Sequence, residues 1–181
     1  MRHLQINNKT ELIKAIDLPV RLFHWLTVLT FTGAYLLAES YRDSHQILGY
    51  MLATLLSLRA IWGIIGSPQA RFATFIASPR QLLQYCRELL QRKEKYTVSY
   101  NPLGATMILL MLINLGTLAL SGHLLTTNRY WGDDNMAVLH YRSTQTMLAL
   151  IPLHIAGVVY ASFRQRQNLA KTMLTGYKRT N

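Results

Sequence analysis

Four long apolar stretches, separated by segments rich in polar residues, account for most of the chain. Each contains about 20 residues, which is the length that an α-helix needs to cross the hydrocarbon core of a bilayer. None of them alternates apolar and polar residues as a barrel strand does. The pattern predicts an all-α membrane protein, a four-helix bundle forming a single transmembrane domain over residues 1–181. The predicted spans are residues 18–38, 45–65, 102–125 and 140–163.

The composition supports a membrane protein over the other classes that a basic chain suggests. The formal net charge is +11, yet only 15% of the residues are charged, against about 25% in soluble domains. Nucleic-acid binders usually mix acidic and basic residues over a solvated surface, so no nucleic-acid partner is expected. The single cysteine, Cys86, excludes an intramolecular disulfide, a CxxC site and haem attached through CxxCH.

Basic residues are concentrated on one side of the predicted bundle. The N-terminal arm, residues 66–100 and the tail after Phe163 hold 15 of the 19 Lys and Arg residues. The loops between the spans on the other side hold only Arg42 and Arg129. Because basic loops stay in the cytoplasm, both termini are predicted to be cytoplasmic. The first span lacks a signal-peptide cleavage site and is expected to remain in the mature protein.

An amphipathic helix is predicted on the cytoplasmic face between the second and third spans. Residues 79–95 place apolar and basic side chains on opposite faces of a helix, which is typical of a segment lying in the membrane interface. Residues 164–175 of the tail suggest a second such helix. The basic residues of these segments are expected to contact anionic lipid head groups.

Histidines are the most informative residues of the chain. There are six, and five of them lie in or at the ends of the four predicted spans. Ionisable residues at membrane depth are costly and mark functional sites, although a single one also serves as a structural hydrogen-bonding group. The sixth, His3, lies in the polar N-terminal arm, where no role is expected. The five membrane histidines are His24, His45, His123, His140 and His154.

Depth in the membrane divides four of these histidines into two pairs. His140 and His154 are 14 residues apart on the fourth span, so they lie about 21 Å apart and on the same helix face. His24 comes early in the first span, near the inner surface, and therefore matches His154 in height. His45 begins the second span near the outer surface and matches His140. Each pair brings two imidazoles from different helices to one level of the bundle, as cofactor sites of helix bundles do.

The chemistry of the paired donors favours haem over zinc. Zinc usually takes three or four ligands, often thiolates or carboxylates, and none is available at these levels. Two imidazoles facing each other match the axial positions of a haem iron. Because the chain has no CxxCH motif, the two haems would be non-covalent and of the b type. The competing interpretation is that these are structural histidines of the core.

Arginines near the ends of the spans are candidates for pairing with haem propionates. Arg59 lies 14 residues after His45, so it shares its face at the inner end of the second span and is the best candidate. The alternative is that Arg59 extends to lipid phosphates. Arg21 and Arg142 are weaker candidates. Glycines 33, 49 and 63 would let a porphyrin approach a helix, or would serve helix packing alone.

His123 stays without an assigned role. It lies at the outer end of the third span, at a height close to that of His45 and His140. A propionate partner, a proton relay near an outer site and a plain interfacial histidine are all compatible with this position.

Several sequence segments together resemble the bacterial cytochrome b561 family, in the branch shared with the b-type cytochrome subunit of nickel-iron hydrogenases. The resemblance covers nearly the whole chain. It departs from the family pattern at Tyr100, where many relatives have His, and at Tyr141, where many have an acidic residue. The segments are IDLPVRLFHW, HQILGY, LRAIWGIIGSPQARF, YNPLGA, PLHIAGVVYAS and QNLAKTMLTGYKR.

The resemblance implies a four-helix bundle of the bacterial inner membrane with two b haems. The ligand positions of the family fall on His24, His45, His140 and His154. Such proteins exchange electrons between the quinone pool and a periplasmic partner, a c-type cytochrome or a hydrogenase-like enzyme. An alternative from the same chemistry is a self-contained superoxide:quinone oxidoreductase, which the net negative charge of the outer loops disfavours. An alternative from another class is a haem-free four-helix transporter or scaffold.

Overall fold

The computed structural model describes residues 12–91, 93 and 101–179. Within this part of the chain, seven helices and one pair of short strands follow one another. Their bounds are β1 Leu12–Lys14, α1 Leu18–Leu37, α2 Arg42–Ile65, α3 Phe72–Phe75, α4 Pro79–Leu90, α5 Pro102–Leu125, α6 Asp134–Gln165, α7 Leu169–Thr175 and β2 Tyr177–Arg179.

Side-chain caps set the starts of the long helices. The carboxylate of Asp17 accepts a hydrogen bond from the backbone N–H of Val20 at the start of α1. Asn101 caps α5 in the same way, and Asp133 accepts from the backbone N–H of Met136 at the start of α6 over 2.8 Å. Each cap satisfies a backbone donor that has no partner inside the helix.

The predicted all-α fold with four membrane-spanning helices is confirmed. Helices α1, α2, α5 and α6 are long and apolar enough to cross a membrane. Helix α2 begins at Arg42, three residues before the predicted span, and α6 begins at Asp134, six residues before it. Asp133 caps α6 and so fixes its start among the polar residues that precede the apolar stretch. Helix α2 likewise starts with the polar residues 42–44.

The two predicted interfacial helices differ from expectation in length. Helix α4 ends at Leu90, before the predicted end at residue 95; residues 92, 94 and 95 lie outside the described part of the chain. The tail does not continue one helix from residue 164, because Arg166 adopts a left-handed conformation that ends α6. Asn168 then caps the separate helix α7.

The core of the bundle lies where the four spans meet. Helix α1 packs against α2, α2 against α5, and α5 against α6. Outside this core, large apolar side chains on the spans are widely exposed, as expected for surfaces that face lipid. The buried core residues are Phe31, Leu52, Leu115, Leu118 and Met147.

An antiparallel pair of three-residue strands joins the two ends of the described chain, a contact that the sequence pattern did not predict. Ile13 of β1 lies opposite Lys178 of β2. The backbone N–H of Ala15 donates to the carbonyl of Gly176 over 2.9 Å. Both ends therefore lie on one face of the bundle, as the predicted shared location of the termini requires. That this face is cytoplasmic stays a prediction.

Candidate functional site

The first pair of histidines joins α1 to α6. The ring centres of His24 and His154 are 6.5 Å apart, with an angle of 52° between the ring planes. Both side chains are half-buried. The edge of the Trp25 indole packs against His24, with the ring centres 5.1 Å apart, which restricts the orientation of this imidazole.

The second pair joins α2 to α6 at the other end of the bundle. The ring centres of His45 and His140 are 6.1 Å apart, and the ring planes are nearly perpendicular at 79°. His45 lies in the first turn of α2 and His140 in the second turn of α6. The four residues that the sequence predicted as ligands are therefore brought together in the two predicted pairs.

Hydrogen bonds orient both rings of the second pair. The Nδ1 atom of His45 lies 2.8 Å from the carbonyl oxygen of Ala34, and Nδ1 of His140 lies 3.1 Å from that of Leu118. Because a carbonyl oxygen only accepts, Nδ1 carries the proton in both rings and donates it. The Nε2 atom of each ring keeps its lone pair for a metal, the arrangement typical of ligating histidines.

The separation within each pair fits two imidazoles that share one metal ion. A metal–nitrogen bond of about 2 Å on each side, plus about 1 Å from each nitrogen to its ring centre, requires ring centres about 6 Å apart. The observed distances of 6.5 and 6.1 Å meet this requirement. Among the described residues, no group of three or more His, Cys, Asp or Glu side chains could hold a metal ion. Two facing imidazoles at this separation are a donor set that fits haem iron.

Glycines leave space beside the paired histidines. A methyl group placed on Gly49, one turn after His45, or on Gly157, one turn after His154, would meet no atom within 4 Å. Gly122 of α5 instead contacts the ring of His140, since a Cβ atom there would lie 3.0 Å from Cε1. Gly33 and Gly63 were also singled out from the sequence. An added Cβ atom would lie 3.1 Å from the Leu48 side chain at Gly33 and would overlap the Phe72 ring at Gly63. These two glycines therefore serve the packing of neighbouring elements.

Arg59 is turned into the protein rather than toward lipid. Its side chain is only 6% exposed. One terminal nitrogen donates to the carbonyl of Ala70 over 3.1 Å, and the guanidinium lies 4.7 Å from the centre of the Phe72 ring. These contacts speak against an extension to lipid phosphates. The pairing of Arg59 with a propionate stays a prediction.

The two weaker propionate candidates lie at opposite ends of the bundle. Arg21 donates to the carbonyl of Thr175 over 3.0 Å. Its Nε atom is buried without a hydrogen-bond partner in the described part of the chain. Arg142 is exposed on α6, two residues after His140.

His123 is not part of the second pair. Its ring contacts Tyr50, with 5.9 Å between the ring centres, and its side chain is exposed on α5. His3 and Tyr100, which the sequence also singled out, lie outside the described residues.

Asp17 is a structural residue that the sequence interpretation missed. Its carboxylate accepts from the indole N–H of Trp62 over 2.9 Å and from the hydroxyl of Ser67 over 2.6 Å. Burial raises the pKa of Asp17, but the hydrogen bonds and the positive charge of Arg59 lower it more, so the net pKa lies below its usual value. An aspartate directly before Leu-Pro was an available signal for a helix cap.

Comparisons with known proteins identify the family of the chain. The family model described as prokaryotic cytochrome b561 matches residues 15–176. A curated protein from Rhizobium leguminosarum bv. viciae, named "Probable Ni/Fe-hydrogenase B-type cytochrome subunit", is 23% identical over an alignment of 205 positions, gaps included, that covers 88% of this chain and 86% of that protein. No solved structure matches the chain. The chain therefore belongs to the prokaryotic cytochrome b561 family, and it is a multi-pass b-type cytochrome of membrane electron transfer in the bacterial inner membrane.

Proposed function

We propose that the protein holds two non-covalent b haems and carries electrons across the inner membrane, between the quinone pool and a periplasmic redox protein. His24 and His154 would hold the iron of the inner haem, and His45 and His140 would hold that of the outer haem. The observation that carries this proposal is the presence of two imidazole pairs, with ring centres 6.5 and 6.1 Å apart, that share helix α6.

Helix α6 sets the distance between the two sites. His140 and His154 are 14 residues apart in one continuous helix, which separates their Cα atoms by about 21 Å along its axis. Met147 lies midway between them and is only 1% exposed. When bound, each haem supplies a reversible one-electron couple at its iron. The apolar core around Met147 excludes water from the region between the sites.

The chain positions its ligands through backbone contacts. The carbonyl groups of Ala34 and Leu118 hold the outer imidazoles in the tautomer that leaves Nε2 available. Arg59 is the proposed propionate partner of the inner haem. Two observations support this role of Arg59. Its guanidinium is buried near the end of α2. The positive charge lies close enough to Asp17, which directly precedes α1, to lower the pKa of that carboxyl.

The net negative charge of the outer loops favours a protein as the redox partner. The acidic side chains Glu39, Asp43, Asp133 and Asp134 outnumber Arg42 and Arg129 there, and a negative field attracts a basic redox protein. A c-type cytochrome or a hydrogenase-like enzyme is the proposed partner, the latter supported by the printed name of the Rhizobium relative. The same negative charge disfavours superoxide as the substrate.

The test is a reduced-minus-oxidised visible spectrum of the detergent-purified protein, with haem quantified per chain. A b-type spectrum with two haems per chain is expected. His24→Ala and His154→Ala should each lose the same haem, and His45→Ala and His140→Ala the other. His3→Ala, which alters a histidine outside the pairs, should retain both. A colourless protein would contradict the proposal and favour a transporter or scaffold.

A further inference from the structure

Helix α5 carries none of the four paired histidines, yet it packs against the ring of one of them, His140. The carbonyl oxygen of Leu118 lies 3.1 Å from Nδ1 of this ring. The hydroxyl oxygen of Ser121 lies 3.1 Å from the same nitrogen, and Ser121 is only 1% exposed. The nitrogen that is not available to a metal therefore lies beside two oxygen atoms of α5.

The hydroxyl of Ser121 differs from other hydroxyls of the spans in what it reaches. Thr117 and Thr144 donate to the carbonyl four residues earlier in their own helices, as helical hydroxyls commonly do. Ser121 instead donates to Leu118, three residues earlier, over 3.1 Å. Its oxygen lies within hydrogen-bond distance of a ring on α6 at the same time. The hydroxyl therefore links α5 to a proposed ligand.

The direction of these hydrogen bonds follows from the available protons. A serine hydroxyl has one proton, and Ser121 donates it to the carbonyl of Leu118. Nδ1 of His140 carries a proton, because it also contacts that carbonyl, which only accepts. The oxygen of Ser121 therefore accepts from Nδ1–H, and its own donation to Leu118 polarises it and makes it a better acceptor.

This double contact distinguishes His140 from the other three paired histidines. His45 has one acceptor on Nδ1, the carbonyl of Ala34. In the part of the chain that the structure describes, His24 and His154 make ring contacts but no side-chain hydrogen bond. A change at Ser121 should therefore act on one of the two proposed haem sites and leave the other as an internal reference.

We propose that Ser121 is a positioning residue that sets the reduction potential of the outer haem through His140. An acceptor on Nδ1–H increases the basicity of the opposite ring nitrogen, Nε2, toward a metal. A more basic ligand favours the oxidised, more positive iron, so the Ser121 hydroxyl lowers the reduction potential at this site. This inference rests on the proposed binding of the outer haem by His45 and His140.

The experiment is a potentiometric titration of the haem-loaded, detergent-purified protein, followed in the visible spectrum. The outer haem is identified as the component that His45→Ala lacks. At the potential where this haem is half reduced in the unaltered protein, Ser121→Ala should raise its ratio of reduced to oxidised form by about fivefold, the effect of one hydrogen bond. Ser121→Cys, which keeps a weak donor and acceptor, should raise the ratio less. The inner haem should titrate unchanged in both variants.

Ser143→Ala is the matched control. It makes the same change at another buried serine, one turn after His140 on α6, and should shift neither haem. If Ser121→Ala leaves the ratio unchanged or lowers it, or if Ser143→Ala shifts the outer haem equally, the proposal is wrong and Ser121 serves packing alone.

Haem content is measured on the same samples. If Ser121→Ala loses the outer haem, Ser121→Cys decides the question, and an unshifted outer haem in that variant overturns the proposal. Failure of the proposed function appears differently, as fewer than two haems in the unaltered protein.

Discussion

The guanidinium of Arg21 bonds to the carbonyl oxygen of Thr175 over 3.0 Å, and this contact links α1 to the tail of the chain. Arg21 lies one turn before His24, and Thr175 ends α7. Gly176 follows with φ +85°, and its carbonyl accepts from Ala15 and Ile16. The tail therefore lies beside the proposed inner haem site and is bonded to α1, the helix that carries His24.

Gly176→Ala should detach this tail. A Cβ atom at Gly176 would lie 2.8 Å from the carbonyl oxygen of Ile16, in addition to the strain of the positive φ. The expected cost is about 1–2 kcal/mol, which should speed protease cleavage of the tail by about tenfold. Gly132→Ala is the control, because Gly132 has φ +75° with no atom within 4 Å. Equal cleavage rates in the two variants would contradict the prediction.

Gly122→Ala should disturb the outer haem alone. The added methyl group would lie 3.0 Å from Cε1 of His140, so the ring must move, and overpacking of this kind costs about 1–3 kcal/mol. We expect one of the two haems to transfer to apomyoglobin about tenfold faster or more. Gly116→Ala on the same helix meets no atom within 4 Å and should leave both transfer rates unchanged. Unchanged rates in Gly122→Ala would show that this contact does not position His140.

Asp17→Asn should destabilise the protein and remove part of its pH dependence. The carboxylate accepts from Trp62, Ser67 and Val20, and weakening these bonds costs about 1–3 kcal/mol. The pKa of Asp17 lies below its ordinary value of 3.8 in the folded protein. Its stabilisation is therefore present above pH 3.8 and is lost as the pH falls through the lowered folded pKa.

The measurement for Asp17→Asn is thermal unfolding in detergent, followed by circular dichroism across this acidic range. The difference between Asp17→Asn and the unaltered protein should be constant near neutral pH and shrink as the pH falls. Asp43→Asn, at an exposed aspartate of α2, is the control and should change stability little. A difference that does not depend on pH would refute the role of the Asp17 charge.

Arg59→Met should weaken the retention of the inner haem. Methionine preserves part of the buried volume but removes the charge and the bond to Ala70. Loss of a charge-assisted pair with a propionate should accelerate the transfer of one haem by about tenfold. Arg71→Met, which removes a nearby arginine bonded to the carbonyl of Gly66, is the matched control. Equal behaviour of the two variants would argue against a propionate partner at Arg59.

Cysteine labelling in a Cys86→Ser background can determine which end of the bundle faces the periplasm. Asn128 and Lys171 are exposed at opposite ends of the bundle. A membrane-impermeant maleimide applied to spheroplasts should label Asn128→Cys, because the basic loops are predicted to be cytoplasmic. Lys171→Cys should react only after the membrane is opened. The reverse labelling pattern would show that the His24–His154 pair lies on the periplasmic side and the His45–His140 pair on the cytoplasmic side.

The spans and the histidine pairs were predictable because both depend on simple helical periodicity. An apolar stretch of about 20 residues specifies a membrane helix, and a spacing of 14 residues places His140 and His154 on one face. The strand pair was not predictable, since β1 and β2 have only three residues each and form through contacts between distant parts of the chain. The burial of Arg59 was not predictable either, because it depends on how residues 66–72 fold back onto α2.

By itself, the sequence determined the number of spans, the level of each histidine within them and the donor chemistry that favours haem. These properties follow from local hydrophobicity and from the fixed rise of a helix. Only the tertiary structure decided that the rings lie 6.5 and 6.1 Å apart, that Asp17 links α1 to α2, and that Tyr50 meets His123. Distances across a bundle depend on how helices rotate and pack against one another, and no spacing along a single chain segment encodes that packing.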